Sequence, residues 1–217
     1  FDTSPDGAVD IAGDRLPARV RRAFGRYTYG PAAYKVDYAI EGDIPWTNEG
    51  ARRAGTLHLG GSAAEIARIE AAAGRGEIPE RPFVLLGQQY VADPSRSQGN
   101  ANPIYAYAHV PHGYTGDATE AVTAQIERFA PGFRDRILAT VVRTPAEIEQ
   151  HNANWVGGDI ATGASTARQI AFRPRLALNP YSLGAEGLYL CSSATPPGAG
   201  VHGMGGFNAA EVALRRL

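Results

Sequence analysis

The sequence predicts an α/β chain of the α+β kind: a mixed sheet with flanking helices, followed by a strand, a glycine loop and a helix. Three observations predict it. Residues 33–40 and 104–110 alternate apolar and polar side chains with period two, as half-buried strands do. Three boxes of Ser, Asp or Thr followed three residues later by Glu (Ser62 and Glu65, Asp117 and Glu120, Thr144 and Glu147) mark helix starts. Last, a loop at 195–206 with seven glycines and prolines joins an apolar run at 187–192 to a run of small residues at 207–217.

The elements follow in order. Phe1 is not a start methionine, and residues 1–5 read as the end of a strand entering a turn. The chain is therefore expected to be cut from something longer; the other reading is a processed N-terminus. Residues 14–24 fit a short helix capped by Asp14, with Leu16, Val20 and Phe24 on one face. Arg15, Arg19, Arg21, Arg22 and Arg26 give it a positive run. Such a run reads first as a solvated face and second as a contact with a partner or an acidic membrane surface. In the strand at 33–40, Tyr34, Val36, Tyr38 and Ile40 point one way. The polar stretch 42–55 holds Trp46, expected to staple the loop to the core rather than line an entrance. A short strand at 56–59 precedes a helix from Ser62 to about Gly74, with Ile66, Ile69 and Ala73 inward. A strand at 83–91 ends before Asp93-Pro94, and a polar loop leads to the strand at 104–110. The second box opens a helix with Val122, Ile126 and Phe129 inward, stopped by Pro131-Gly132. Residues 136–143 form a strand, and the third box carries Pro145 at the first helical position.

Bulk properties narrow the function. The 217 residues suffice for one large or two small domains, and 44% hydrophobic with 20% charged residues is ordinary for a globular chain. A net charge of −1 gives no basic field for nucleic acid. A single cysteine, Cys191, excludes an internal disulfide and offers no metal cluster. No apolar run reaches the ~18 residues of a membrane span, and no signal peptide is visible. The expected location is cytoplasmic, with peripheral membrane attachment as the alternative that the arginine run leaves open.

The ending carries the chemistry. A strand, a glycine loop and a helix of small residues present bare backbone N–H groups to an anion or an electron-rich ring. The loop runs Pro197-Gly198-Ala-Gly200-Val201-His202-Gly203, then Gly206-Phe-Asn208-Ala-Ala210, after the strand Leu188-Tyr-Leu-Cys191 and Ser192. It matches G-x-G-x-x-G at Gly198, Gly200 and Gly203, yet no acidic residue follows at the distance a dinucleotide fingerprint needs, so that reading is rejected. The remaining alternative without a ligand is a plain connector between strand and helix.

This ending resembles the C-terminal FAD motif of the phytoene desaturase-like flavoproteins, a group within the amine oxidase and glutathione reductase-type FAD superfamily. Trp155-Val-Gly157-Gly158-Asp159-Ile160, with Gln169 and Arg173-Pro174, resembles a second block of that group. The resemblance implies the C-terminal portion of an FAD-dependent oxidoreductase. Its reaction would be hydride removal or isomerisation at a C–C bond of an apolar small molecule. It implies that 1–25 and 165–217 belong to a Rossmann-like FAD domain and 26–164 to a substrate-binding domain. It assigns the flavin to Cys191, Ser192, Gly198, Gly200, Val201, His202, Gly203, Gly206 and Asn208, and the substrate to Gly157, Gly158 and Asp159, with Arg173 able to pair Asp159. Gly200, Gly203 and Gly206 are expected to forbid a side chain. Catalytic residues are not identifiable, and no metal is expected: His109 and His112 lack a third ligand. Cys191 reads as structural. The alternative function is a non-catalytic module that holds a hydrophobic ligand or a partner. With the adenosine half of an FAD site missing, these residues alone should hold FAD weakly. Phe207, Val212 and Leu214 should then be partly exposed or covered by a second copy, a homodimer.

Overall fold

The computed structural model describes residues 1–216. The chain divides into two compact units, Pro31–Ile148 and a discontinuous one made of Phe1–Gly30 and Glu149–Leu217. The junctions thus fall at 30/31 and 148/149, against the expected 25/26 and 164/165.

The Pro31–Ile148 unit is a five-stranded sheet with strands β1 (Ala32–Glu41), β2 (Thr56–Leu59), β3 (Val84–Gly87), β4 (Ala101–Val110) and β5 (Ile137–Arg143). Their order is β2-β3-β4-β1-β5, and every pair is antiparallel. The sheet is purely antiparallel, and with the helices around it the chain is mixed α/β, as expected. The alternation of β1 does what it predicts: Tyr34, Val36, Tyr38 and Ile40 are buried against Ile104, Ala106, Ala108 and Val110 of β4. Numbered along the chain after α1 (Pro5–Ala12) and α2 (Ala18–Phe24) of the other unit, the helices here are α3 (Glu49–Arg52), α4 (Ala63–Gly74), α5 (Gln89–Ala92), α6 (Thr119–Phe129) and α7 (Pro145–His151). Of these, α6 covers this face with Val122 and Ile126, while Phe129 is only partly buried.

Trp46 staples its loop as expected. It is buried, and its indole donates to Gln88 Oε1 at 2.8 Å. Gln88 in turn donates to the carbonyls of Ala51 and Ala54. The expected strand at 83–91 stops at Gly87, because Gln88 turns inward and a short helix, Gln89–Ala92, follows.

The three boxes differ. Thr144 and Glu147 form the reciprocal arrangement in full at the start of the helix Pro145–His151: Glu147 accepts from the Thr144 N–H at 2.8 Å, and Thr144 Oγ1 accepts from the Glu147 N–H at 3.3 Å. Ser62 caps the helix Ala63–Gly74, but Glu65 turns to Arg128 at 2.7 Å. Asp117 accepts from the Thr119 N–H while Glu120 pairs with Arg134. Arginines within reach outcompete the backbone for those two glutamates.

In the other unit, residues 1–5 do not end a strand. They open helix α1 (Pro5–Ala12), with Ser4 accepting from the Gly7 N–H and Pro5 at the first turn. The expected helix at 14–24 is shortened to α2 (Ala18–Phe24), because Pro17 stands at its N-cap. Asp14 caps nothing and pairs instead with Arg21 at 2.9 Å. Leu16, Val20 and Phe24 do form the buried face, together with Ala8, Ala12, Leu183, Leu190 and Ala194. A short helix α8 (Ala167–Phe172), capped by Thr166, and α9 (Met204–Leu214) complete the unit. The expected helix at 207–217 starts three residues earlier, and Leu217 lies outside the described residues.

Candidate functional site

The run at 187–192 is not a strand. Tyr189 forms one isolated bridge to Ser182, and Leu190 donates to the Tyr181 carbonyl at 2.8 Å while its side chain fills the core. Gly187 in a left-handed conformation, with Gly184 before it, folds 181–190 into a tight reversal that leaves no partner segment for a longer ladder.

From Cys191 onward the chain is clamped. The Cys191 N–H and thiol both donate to the Phe1 carbonyl, at 2.8 and 3.2 Å. The cysteine is half-buried and used in structure, as expected. The Ser192 carbonyl accepts from both the N–H and the hydroxyl of Thr195, at 2.9 and 2.6 Å, and Thr195 is fully buried. Arg173 reaches under the loop and donates to the Ser193 carbonyl at 3.1 Å, and the Tyr181 hydroxyl donates to Pro196 O at 3.1 Å. Two glycines make this clamp fit. A Cβ on Gly198 would stand 2.8 Å from Arg173 Nη1, and one on Gly205 would stand 2.9 Å from the Cys191 carbonyl. Gly205 thus lets the first turn of α9 rest on the 191–195 turn; sequence reading passed over it, though the Gly205-Gly206 pair was the signal.

The far side of the loop is open. Gly200, His202 and Gly203 all have positive φ, at 76°, 53° and 81°, and all three are exposed. Gly203 is the N-cap of α9 and offers no side-chain acceptor to the helix start, whose N–H groups carry the positive end of the helix dipole. Exposed His202, Met204 and Phe207 surround this end, with Val201 and Asn208 half-buried beside it. Gly200 and Gly203 therefore need glycine for their backbone, as expected. Gly206 does not: it is helical, and a Cβ there would meet nothing within 4 Å. The expected exposure of the helix holds, with Phe207 and Leu214 exposed and Val212 half-buried.

The second block is a clasp on residues 27–30. Asp159, 1% exposed, accepts three backbone N–H bonds: from Gly30 and Gly163 on Oδ2, both 2.7 Å, and from Ala161 on Oδ1, 2.8 Å. Gln169 grips Thr28 from both sides, accepting from its N–H at 3.0 Å and donating to its carbonyl at 2.7 Å. Tyr27 donates to the Thr162 carbonyl at 2.8 Å; burial, countered by Arg173, pushes its hydroxyl up to about 12, so it is a neutral donor. The expected Arg173–Asp159 pair does not form: three backbone donors already satisfy the Asp159 carboxylate, and Arg173 serves the Ser193 and Gln169 carbonyls. Gly157 and Gly158 are both left-handed, and Gly158 is buried. The structure therefore gathers 191–208 around one helix start and makes 155–173 a frame.

Among the described residues no group of three or more His, Cys, Asp or Glu can hold a metal ion, and His109 is paired with Glu70 at 2.8 Å. No helix among them is long and apolar enough to cross a membrane.

No protein-family model matches the chain. Among curated proteins, it is similar to pyridine nucleotide-disulfide oxidoreductase domain-containing protein 2 of Mus musculus, with 42% identity over 93 residues. The Rattus norvegicus protein of the same name is 40% identical over 93 residues. Each of these matches covers 42% of this chain and 16% of the relative. The neurosporene-forming phytoene desaturase of Rhodobacter capsulatus is 27% identical over 138 residues, 58% of this chain and 26% of that protein. These likenesses bear out the family resemblance read from the sequence.

Proposed function

We propose, from the premise that this chain is related to oxidoreductases more than twice its length, that it is the C-terminal portion of an FAD-dependent oxidoreductase of the phytoene desaturase-like kind. The observation that carries the proposal is the clamped glycine loop that ends on an uncapped, solvent-facing helix start.

The residues present fit a flavin. Gly200 and Gly203 put bare backbone at the surface, so an aromatic ring system can approach without meeting a side chain. The start of α9 offers N–H donors and partial positive charge to an electron-rich edge. His202, Val201, Met204 and Asn208 flank that position. When bound, FAD supplies a two-electron acceptor for a hydride leaving a carbon atom of an apolar substrate. The chain's own part is positioning. Arg173, Thr195 and Tyr181 fix the loop from beneath, so the helix start does not move as charge develops. Asp159 and Gln169 hold the frame that presents Gly157 and Gly158, which we assign to the substrate side. Cys191 and Ser192 act through their backbone and internal bonds, and Gly205 lets the first turn of α9 rest on them.

The test is flavin content. The complete natural protein should purify with bound FAD, or take it up on reconstitution, and bleach with a reductant. Gly203→Asn keeps a residue type that tolerates positive φ but places a side chain over the helix start. That variant should lose flavin at unchanged thermal stability. The 217-residue chain alone should bind FAD only weakly, since it lacks a fingerprint for the pyrophosphate. A colourless complete protein, or a fully loaded Gly203→Asn variant, overturns the proposal.

A further inference from the structure

One hollow lies wholly within the continuous unit Pro31–Ile148, and neither the glycine loop nor the 155–173 frame lines it. It measures about 640 Å³, the size of a small-molecule site. Its floor is the N-cap and outer face of α6, where Ala118, Ala121 and Ala124 carry too little side chain to fill the space. Ile78, Pro79 and Tyr114 give it apolar walls, and Ile78 is left 45% exposed there.

Gln125 is the odd residue in this lining. It lies one helical turn beyond Val122 and is 1% exposed, a place where an aliphatic side chain would pack. Its Nε2 reaches the Leu59 carbonyl only at 3.5 Å, and its Oε1 is buried without a partner among the described residues. Buried polar groups are nearly always satisfied, so an acceptor left open beside a hollow calls for a donor that enters it. The terminal torsion of glutamine is soft, and a small rotation exchanges the long Leu59 bond for one to a molecule in the hollow. The charges at the mouth balance. Asp117 is held by Tyr34 and Thr119, Glu120 by Arg134 and Arg128 by Glu65, which leaves Glu80 beside Arg81.

We infer that this hollow binds a neutral ring compound that carries a hydroxyl group, the hydroxyl donating to Gln125 Oε1 and the ring lying against Tyr114, Pro79 and Ile78 over the alanine floor. Each other class of small molecule leaves something unmet. A hydrocarbon fills the walls but leaves the Gln125 acceptor unpaired. An anion or a cation gains no net field from a mouth whose charges cancel, and it gives up hydration against apolar walls. A flat body fits the alanine surface and gains a ring contact with Tyr114, whose other side already meets Tyr34 edge-on at 6.5 Å. The inference does not rest on the flavin reading, because no residue assigned to the flavin takes part.

The experiment is titration of the full chain with 2-naphthol, followed by amide NMR. Saturable binding is expected with a Kd below about 1 mM, the backbone amides of Ala121 and Ala124 and the side-chain NH₂ of Gln125 shifting together. The methyl ether of 2-naphthol keeps the ring and the oxygen but has no O–H to donate, and it should bind at least about tenfold more weakly. This pair of probes tests the parent without any substitution. Gln125→Leu has nearly the same volume; it should be no less stable than the parent and should bind the two compounds within about threefold of each other. Ala124→Trp adds a large side chain at an exposed helix position and should lower the affinity about tenfold or more, with thermal stability unchanged. The inference is overturned by absence of saturable binding, by equal binding of naphthol and ether to the parent, by discrimination retained in Gln125→Leu, or by an Ala124→Trp variant that binds like the parent. It is equally overturned if, in the complete natural protein, Gln125→Leu leaves the binding of 2-naphthol as it was, since its remaining segments then fill the hollow.

Discussion

Removing the Asp159 carboxylate should be the most damaging single change in the frame behind the loop. The side chain is buried and accepts three backbone N–H bonds at 2.7, 2.7 and 2.8 Å. Bonds to a charged acceptor contribute about 1.5–3 kcal/mol each, and buried donors left without a partner cost about 1–3 kcal/mol. The three share one group, so their losses do not add in full. Asp159→Ala is therefore expected to cost about 4 kcal/mol. Asp159→Asn has nearly the same shape, and its one carbonyl oxygen can keep the Gly30 and Gly163 bonds that now share Oδ2. It loses the charge and turns an NH₂ toward the Ala161 N–H, so about 2 kcal/mol is expected.

Urea unfolding measures the total, and amide hydrogen exchange locates it. The Gly30 and Gly163 amides should exchange about a thousandfold faster in the Ala variant, following ~1.4 kcal/mol per factor of ten, and about thirtyfold faster in the Asn variant. An Ala variant within about 1 kcal/mol of the parent, or an Asn variant as unstable as Ala, would refute the reasoning: the first denies that the carboxylate holds the clasp, the second that oxygen position matters.

Two other outcomes follow from the same region. A Cβ on Gly163, whose φ is +141°, would stand 2.0 Å from the Tyr27 hydroxyl; Gly163→Ala should cost about 2–4 kcal/mol, part of it recovered with Tyr27→Phe in a double-mutant cycle. Burial raises the hydroxyls of Tyr27 and Tyr38 from 10.0 to about 12. The folded state then keeps protons that the unfolded state releases, so this stability is present below pH 10 and lost between about 10 and 12. Phenolate absorbance against pH should show these two titrating late and together with unfolding; a folded protein with every tyrosine ionising near 10 would contradict the burial.

The elements that sequence reading placed are those whose cause is local. Alternation in β1 and β4 needs only side-chain period, and the Thr144 box needs only four residues. What it misplaced depends on partners far along the chain. Glu65 abandons its box for Arg128, 63 positions on, and the Asp159 clasp closes on Gly30 across 129 positions. The second block offers Arg173 as a partner for Asp159, whereas space assigns Arg173 to the Ser193 carbonyl. The run at 187–192 has strand composition, but a ladder needs a second segment, and the reversal at 181–190 supplies only one bridge.

The loop shows why its glycines cannot be told apart by pattern. A glycine spares a side chain either because the backbone turns left-handed or because another atom occupies the Cβ position, and sequence does not distinguish the two. Here Gly205 belongs to the second kind, against the Cys191 carbonyl, Gly200 and Gly203 to the first with open space before them, and Gly198 to both. The crowded pair fastens the loop to the body of the unit; the open pair faces outward, where a ligand has room. A Cβ at Gly205 must therefore be resisted by the fold before any ligand is added, while a tolerated side chain at Gly203 leaves the fold intact and closes the approach. That separation leaves the His202–Met204 side of the loop open, and it confines the structural demand to the side that rests on Cys191 and Thr195.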